Sequence, residues 1–112
     1  LFLVEANLRG GGDFISNKLV YLSSGIDYLR AMIEVAMDNF KSPQKTAPEQ
    51  YAGIYYLCKQ TEYFLPFFEE AKGKSWLVEE VIFTTNLQES FSNYERNGYL
   101  IYKSDRKIEF TK

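Results

Sequence analysis

Few residues in this chain have side chains suited to catalysis or metal binding. The chain has no histidine and one cysteine, Cys58, which lies in an apolar stretch. A nucleophilic thiol needs a neighbouring base, usually histidine, so we expect Cys58 to be a small buried side chain. Histidine and cysteine are also the usual zinc ligands. We therefore expect neither a metal site nor a cofactor.

Two pairs of adjacent carboxylates remain, Glu69-Glu70 and Glu79-Glu80. Adjacent residues of a helix point in different directions, so neither pair forms an acid–base dyad, and we expect both to be solvated. Three glycines precede Asp13, but they lack the spacing of a phosphate-binding loop and are more typical of a flexible turn. No nucleophile, base and orienting group can be assembled, so we expect the protein not to be an enzyme.

The overall composition is that of an ordinary globular protein. The chain has 112 residues, of which 46% are hydrophobic and 25% charged, and its net charge is −2. These values predict one domain over residues 1–112 and exclude a chain that coats nucleic acid through bulk charge. No apolar run approaches the ~18 residues of a membrane span, and the first residues lack the basic start of a signal peptide. Since a lone cysteine suits a reducing compartment, we expect a cytoplasmic protein with no membrane partner.

The elements that must position the side chains begin with a long helix, predicted over residues 16–41. Its apolar residues alternate steps of three and four, as on a helix face that packs against another helix. They are Leu19, Leu22, Ile26, Leu29, Ile33, Ala36 and Phe40. Gly25 interrupts this helix and suggests the close approach of another backbone.

A second helix is predicted over residues 48–71, with a kink near Pro66. Thr46 and Glu49 have the spacing of a capping box, and an apolar seam of matching period follows them. The seam consists of Tyr51, Ile54, Cys58, Thr61, Leu65 and Phe68. Two such helices joined by a short linker predict an antiparallel helical hairpin.

Short elements are predicted for the rest of the chain. We expect a strand over residues 1–9, a short helix or strand over 76–83, a helix over 86–97 and a β-hairpin over 99–111. The fold class that follows is α+β and mainly helical. It consists of a helical hairpin, one or two further short helices and a small antiparallel β-sheet.

The segment from Trp76 to Lys112 resembles the recognition helix and wing of winged-helix DNA-binding domains. A helix precedes the predicted hairpin, and residues 96–112 carry five basic and two acidic residues. The resemblance implies a transcription regulator, which is our alternative hypothesis. It implies base contacts by Gln88, Ser92 and Asn93, and contacts with the nucleic-acid backbone by Arg96, Lys103, Arg106 and Lys107.

Aromatic residues make up 17% of the chain, and many of them lie off the seam of the predicted second helix. Tyrosine and phenylalanine bury large areas and are enriched at the centres of protein interfaces. We therefore expect a non-catalytic interaction or regulatory module that binds a protein partner or a second copy of itself as a homo-oligomer. The partner-binding residues would be Tyr55, Tyr56, Tyr63 and Phe67. These rings could instead be covered within one chain, and a small molecule bound between aromatic helices is a third hypothesis.

Overall fold

The computed structural model describes residues 10–110, and the strand predicted over residues 1–9 lies outside them. The chain divides into two compact units, Leu1–Pro48 and Glu49–Lys112. None of the helices in the described range is long and apolar enough to cross a membrane.

The first unit contains short helical segments in place of one long helix. A π-helical turn, Ile15–Leu19, leads into α1, Val20–Ser24, and α2 spans Tyr28–Ala36. Gly25 follows α1 with a left-handed φ of 73°. The helix predicted over residues 16–41 is therefore wrong, because a left-handed residue ends a right-handed helix.

Gly25 also holds the chain that returns after α2. Thr46 donates to the Gly25 carbonyl oxygen from its backbone N–H, at 2.9 Å, and from its hydroxyl, at 2.8 Å. A Cβ atom on Gly25 would lie 2.5 Å from the Ala47 carbonyl oxygen. The close backbone approach expected at this glycine is thus present, and Thr46 ties two loops together where a helix cap was predicted.

The second unit contains a three-stranded antiparallel sheet. β1 spans Tyr51–Leu57, β2 spans Leu77–Ile82 and β3 spans Gly98–Ser104, and β3 lies between the other two strands. A 3₁₀ helix, Lys59–Phe64, and then α3, Leu65–Ala71, follow β1. No helical hairpin forms among residues 10–110, so the predicted mainly helical fold is wrong, although the small antiparallel sheet is present.

The segment predicted as a second helix, residues 48–71, divides into a strand and two shorter helices. In β1 the side chains of Tyr55 and Leu57 share the core face, which is the two-residue period of a strand. Pro66 lies in the first turn of α3, where its missing N–H leaves no hydrogen bond unmade. The proline therefore starts a helix where a kink was predicted.

The C-terminal predictions are also corrected. Residues 76–83, predicted as a short helix or a strand, contain β2. The helix predicted over residues 86–97 is wrong, because these residues form turns and irregular loop. The hairpin predicted over 99–111 is wrong as well, since β3 pairs with β1 and β2 and its strand ends at Ser104.

The core of the second unit lies between the sheet and α3. Its fully buried side chains include Leu57 and Leu100 from the sheet and Phe68 from α3. A group of aromatic rings extends this core, with edge-to-face contacts at 5.1 Å between the centroids of Tyr55 and Phe64 and of Tyr55 and Phe67. Much of the aromatic content of the chain is therefore used inside this unit.

Candidate protein interface

The most exposed aromatic rings of the described residues lie on the loop that connects β2 to β3, residues 83–96, here called the β2–β3 loop. Tyr94 is 98% exposed, Phe91 is 83% exposed and Phe83 is 67% exposed. Rings of this size are usually at least half covered in a folded chain. The β2–β3 loop is therefore the strongest candidate for a binding surface among the described residues.

The buried amide of Asn97 holds the C-terminal end of the β2–β3 loop. Its Oδ1 accepts from the backbone N–H of Gln88 at 2.8 Å. Its own N–H donates to the Leu57 carbonyl at 2.7 Å, and its carbonyl accepts from the N–H of Phe83 at 2.8 Å. One residue thus links the two ends of the loop and the end of β1.

Contacts with the 3₁₀ helix hold the middle of the loop. The Gln60 side chain both donates to the Ser90 carbonyl, at 3.0 Å, and accepts from the Ser90 N–H, at 3.1 Å. The carbonyl of Gln88 accepts from the Lys59 N–H at 2.9 Å. These bonds fix the loop backbone on the N-terminal side of Phe91.

Within the loop, a carboxylate and a guanidinium make further contacts. The Glu95 side chain accepts from the Phe91 N–H at 2.7 Å. The Arg96 guanidinium carbon lies 3.5 Å from the centroid of the Tyr56 ring, which is a cation–π contact. The Nη2 of Arg96 donates to Asn93 Oδ1 at 2.7 Å. The loop therefore presents its rings from a backbone that is already ordered.

A cleft of about 380 Å³ lies at the base of this loop. Tyr56, Cys58 and Gln60 line one side of it, and loop residues line the other. The Cys58 thiol lies 3.4 Å from the Thr61 hydroxyl, and its residue is 8% exposed. Among residues 10–110 no group of three His, Cys, Asp or Glu side chains converges as a metal site would require.

Tyr99 is the cross-strand neighbour of Tyr56, and the pKa of its hydroxyl group is raised. Its hydroxyl donates a hydrogen bond to the Glu79 carboxylate. This bond, together with burial and the negative charge of Glu79, raises the pKa of Tyr99 to about 12. Tyr99 therefore stays protonated at neutral pH and acts as a donor across the sheet.

The structure separates the four side chains predicted to bind a partner. Tyr55 and Phe67 lie in the aromatic core, and the Tyr55 hydroxyl donates to the Ile108 carbonyl at 2.8 Å. Tyr63 is 43% exposed beside Phe64 and Phe110. Tyr56 lies under Arg96, so the four rings do not form one surface.

The side chains implied by the winged-helix resemblance are also dispersed. Ser92, Asn93 and Arg96 line the cleft, and Gln88 lies on the loop, but no recognition helix carries them. Lys103 lies in β3, while Arg106 and Lys107 follow it. Lys107 pairs with Glu109 at 2.6 Å, and that contact raises the pKa of the lysine.

A second cavity, of about 390 Å³, lies within the first unit. Its central carboxylate, Glu34, accepts from Arg30 Nε at 2.8 Å and from the Lys41 N–H at 3.3 Å, and these bonds lower the pKa of Glu34. Two oppositely charged side chains of this cavity, Arg30 and Glu34, are therefore paired with each other. The exposed apolar residues of α2 are less exposed than the loop rings: Tyr28 is 38%, Leu29 44%, Ile33 52% and Val35 61% exposed.

Sequence reasoning missed Phe91 and Tyr94 as surface residues because their spacing suits one face of a helix. The residues next to Phe91 and Tyr94 in the sequence favour a turn over a helix. Ser90, Ser92 and Asn93 surround the two rings, and serine and asparagine favour turns because their side chains compete for backbone hydrogen bonds.

Comparison of the chain with protein-family models, curated proteins and solved structures gives no match.

Proposed function

We propose that this protein is a non-catalytic interaction module that binds a protein partner through the exposed rings of the β2–β3 loop. The observation that carries the proposal is the exposure of Phe91 and Tyr94, 83% and 98%. The loop backbone beside Phe91 is held by the bonds between Ser90 and Gln60 and by the bond from the Phe91 N–H to the Glu95 side chain. Large exposed rings are characteristic of the anchors that fill pockets on a partner.

The order of the loop favours this role energetically. Burying an exposed ring on a partner gains roughly 25 cal/mol for each Å² of apolar surface removed from water. Ordering a mobile segment on binding would offset that gain. Because Gln60, Glu95 and Asn97 already fix the backbone that carries Phe91, little of this ordering remains to be done when a partner binds.

The charges of the loop indicate the chemistry of the partner. The β2–β3 loop carries two acidic residues, Glu89 and Glu95, and one basic residue, Arg96, whose guanidinium lies over the Tyr56 ring. A partner surface with an apolar pocket and a basic rim complements this segment, whereas a second copy of the loop would place like charges opposite each other. The partner proposed for this surface is therefore a different protein with a basic rim.

A comparison of capture by matched variants tests the proposal. We expect proteins retained by the wild-type chain to be lost from Phe91→Ser/Tyr94→Ser and kept by Tyr21→Ser/Phe40→Ser. The control pair removes rings that are 48% and 55% exposed in the first unit. The retained protein, once purified, should bind the loop variant at least about tenfold more weakly, which corresponds to the loss of one anchor ring. Equal binding to the wild type and the loop variant, or no protein that distinguishes them, would overturn the proposal.

A charge variant tests the basic rim separately. Glu89→Gln/Glu95→Gln removes both charges, and a glutamine at position 95 retains an oxygen that can accept from the Phe91 N–H. We expect slower association with the purified partner and a weaker dependence on salt, because charged rims chiefly act on the rate of encounter. An unchanged salt dependence would contradict the basic rim and leave the role of the rings intact.

A further inference from the structure

The strand order β1-β3-β2 makes β1 one edge of the sheet and β2 the other. An edge strand presents a row of backbone N–H and C=O groups, and monomeric proteins usually protect such a row with charges, proline or a bulge. The two edges of this sheet differ in that protection.

The directions of the backbone groups follow from the hydrogen bonds of β3. Within β3, the Lys103 N–H donates to the Trp76 carbonyl immediately before β2, so odd-numbered residues of β3 face β2. Because the direction alternates along an antiparallel strand, even-numbered residues face β1. Their partners in β1 are Tyr51, Gly53, Tyr55 and Leu57.

The remaining residues of β1, Ala52, Ile54 and Tyr56, direct their backbone groups away from the sheet. The carbonyl of Tyr56 accepts from the Thr61 hydroxyl at 2.8 Å. For Ala52 and Ile54, no hydrogen bond to the outward N–H and C=O groups comes from the described part of the chain. A strand placed beside β1 would pair with these two residues, which flank Gly53.

The β2 edge has two features that disfavour pairing with another strand, an irregular register and negative charge. The register between β2 and β3 shifts between Leu77 and Glu79, and Glu79 and Glu80 add two negative charges. β1 has seven residues in unbroken register with β3, and none of them is charged or proline. β1 is therefore the edge suited to receive another strand.

We propose that β1 pairs with β1 of a second copy of this chain, antiparallel across a two-fold axis at Gly53. In this register Ala52 of one copy lies opposite Ile54 of the other, and each pair exchanges both backbone hydrogen bonds. A register centred on Ile54 would instead use Tyr56, whose carbonyl is already engaged by Thr61. The two sheets then form one continuous sheet.

Charge favours a second copy as the occupant of this edge. The pairing brings together two identical uncharged strands, so no like charges meet, and Ala52 and Ile54 lie opposite each other on one face. A two-fold contact of one patch with itself is the commonest form of soluble homodimer. This surface is separate from the β2–β3 loop, so the inference does not depend on the proposed partner.

Sedimentation of the full chain over a hundredfold range of concentration tests the pairing. We expect the wild type to change from monomer to dimer, and Ala52→Pro to weaken dimerisation by about tenfold or more, because each copy loses one outward donor. Proline is tolerated at an edge position whose N–H faces away from the sheet. Glu80→Pro, which removes an outward N–H at the β2 edge, is the matched control and should dimerise like the wild type. A wild type that stays monomeric throughout, or an Ala52→Pro variant that dimerises as tightly, would overturn the proposal.

Hydrogen exchange on the wild type provides a test that needs no variant. The amides of Ala52 and Ile54 should exchange more slowly as the concentration of the protein rises, while those of Glu80 and Ile82 should not change. Exchange of Ala52 and Ile54 at one rate across all concentrations would exclude the β1 pairing even where dimers form. Retention of the Phe91 and Tyr94 partner by Ala52→Pro would separate this result from the proposed function of the loop.

Discussion

Asn97 shows how one buried polar side chain determines the course of a loop. It is 7% exposed, and it is the only buried polar residue among residues 10–110. A buried side-chain amide without a partner would cost about 1–3 kcal/mol, and the Oδ1 of Asn97 accepts from the Gln88 N–H. The backbone of Asn97 bonds with Leu57 and Phe83. The sequence predicted Asn97-Gly98 as the end of a helix. The residue pair does mark a boundary, but the boundary separates a loop from β3.

The Tyr99–Glu79 hydrogen bond predicts a loss of stability in alkali. The pKa of Tyr99 is raised from 10.0 to about 12, so between these values the unfolded chain releases a proton that the folded chain retains. The stabilisation is complete below the unfolded pKa and is lost as the pH rises through the folded one. We expect the free energy of unfolding, measured by urea denaturation, to fall as the pH rises over this range. In Tyr99→Phe the free energy of unfolding should fall less steeply with pH.

A second tyrosine and a conservative variant make this test specific. Burial also raises the pKa of Tyr102, so part of the alkaline slope should remain in Tyr99→Phe. Glu79→Gln removes the negative charge beside the Tyr99 hydroxyl, and we expect tyrosinate absorbance to appear at lower pH in that variant. Identical slopes in the wild type and Tyr99→Phe would show that the bond does not favour the protonated hydroxyl.

At the scale of elements, the sequence identified the breaks between segments better than the type of each segment. Gly25 was recognised as an interruption, and its left-handed φ of 73° explains why α1 ends there. Pro66 was recognised as a break. A proline is compatible with either the end or the first turn of a helix, and here it lies in the first turn of α3. Such residues act through their own backbone, so their effect is visible without knowledge of the tertiary structure.

The identity of β1 was not predictable from spacing alone. Tyr51, Ile54 and Cys58 satisfy a helical seam, while Tyr55 and Leu57 satisfy the two-residue period of a strand. Pairing with β3 decides between them, because the register places Tyr55 opposite Leu100 and Leu57 opposite Gly98. That partner is more than forty residues away in sequence, so no local pattern could supply it. The candidate interface was missed for a related reason, since Phe91 and Tyr94 lie in the segment predicted as a helix over residues 86–97.

Gly53 provides a prediction at the level of the sheet. It lies opposite Tyr102 in the β1–β3 pair, and a Cβ atom on it would be 2.6 Å from Cε1 of that ring. Tyr102 is 6% exposed and has little room to move. We expect Gly53→Ala to destabilise the fold by about 1–3 kcal/mol in urea denaturation, although alanine is otherwise the better strand residue. Gly12→Ala, with no atom within 4 Å of the added methyl group, is the control and should be near neutral. A gain in stability for Gly53→Ala would show that the Tyr102 ring moves aside for the added methyl group.

For the whole molecule, the two units differ in how they use their apolar residues. The helices of the first unit contain no buried residue, and Ile33, Met37 and Phe40 are 52%, 70% and 55% exposed. The residues of the described hydrophobic core all belong to the second unit. The high aromatic content therefore serves two purposes in the second unit: seven of its fourteen rings belong to the core or pack against it, and those of the β2–β3 loop are exposed.

Because its core is self-contained, we expect the fragment of residues 49–112 to fold on its own. A single core of this size supplies roughly 3–5 kcal/mol, so the fragment should unfold cooperatively in urea. Trp76 stacks on Phe67 with centroids 5.8 Å apart and should give a near-ultraviolet circular dichroism signal that urea abolishes. Phe68→Ala, at a fully buried position, should remove about 3–5 kcal/mol and leave the fragment largely unfolded, whereas Phe83→Ala, at a side chain that is 67% exposed, should not. A fragment without cooperative unfolding would mean that the core of the second unit is insufficient without the rest of the chain.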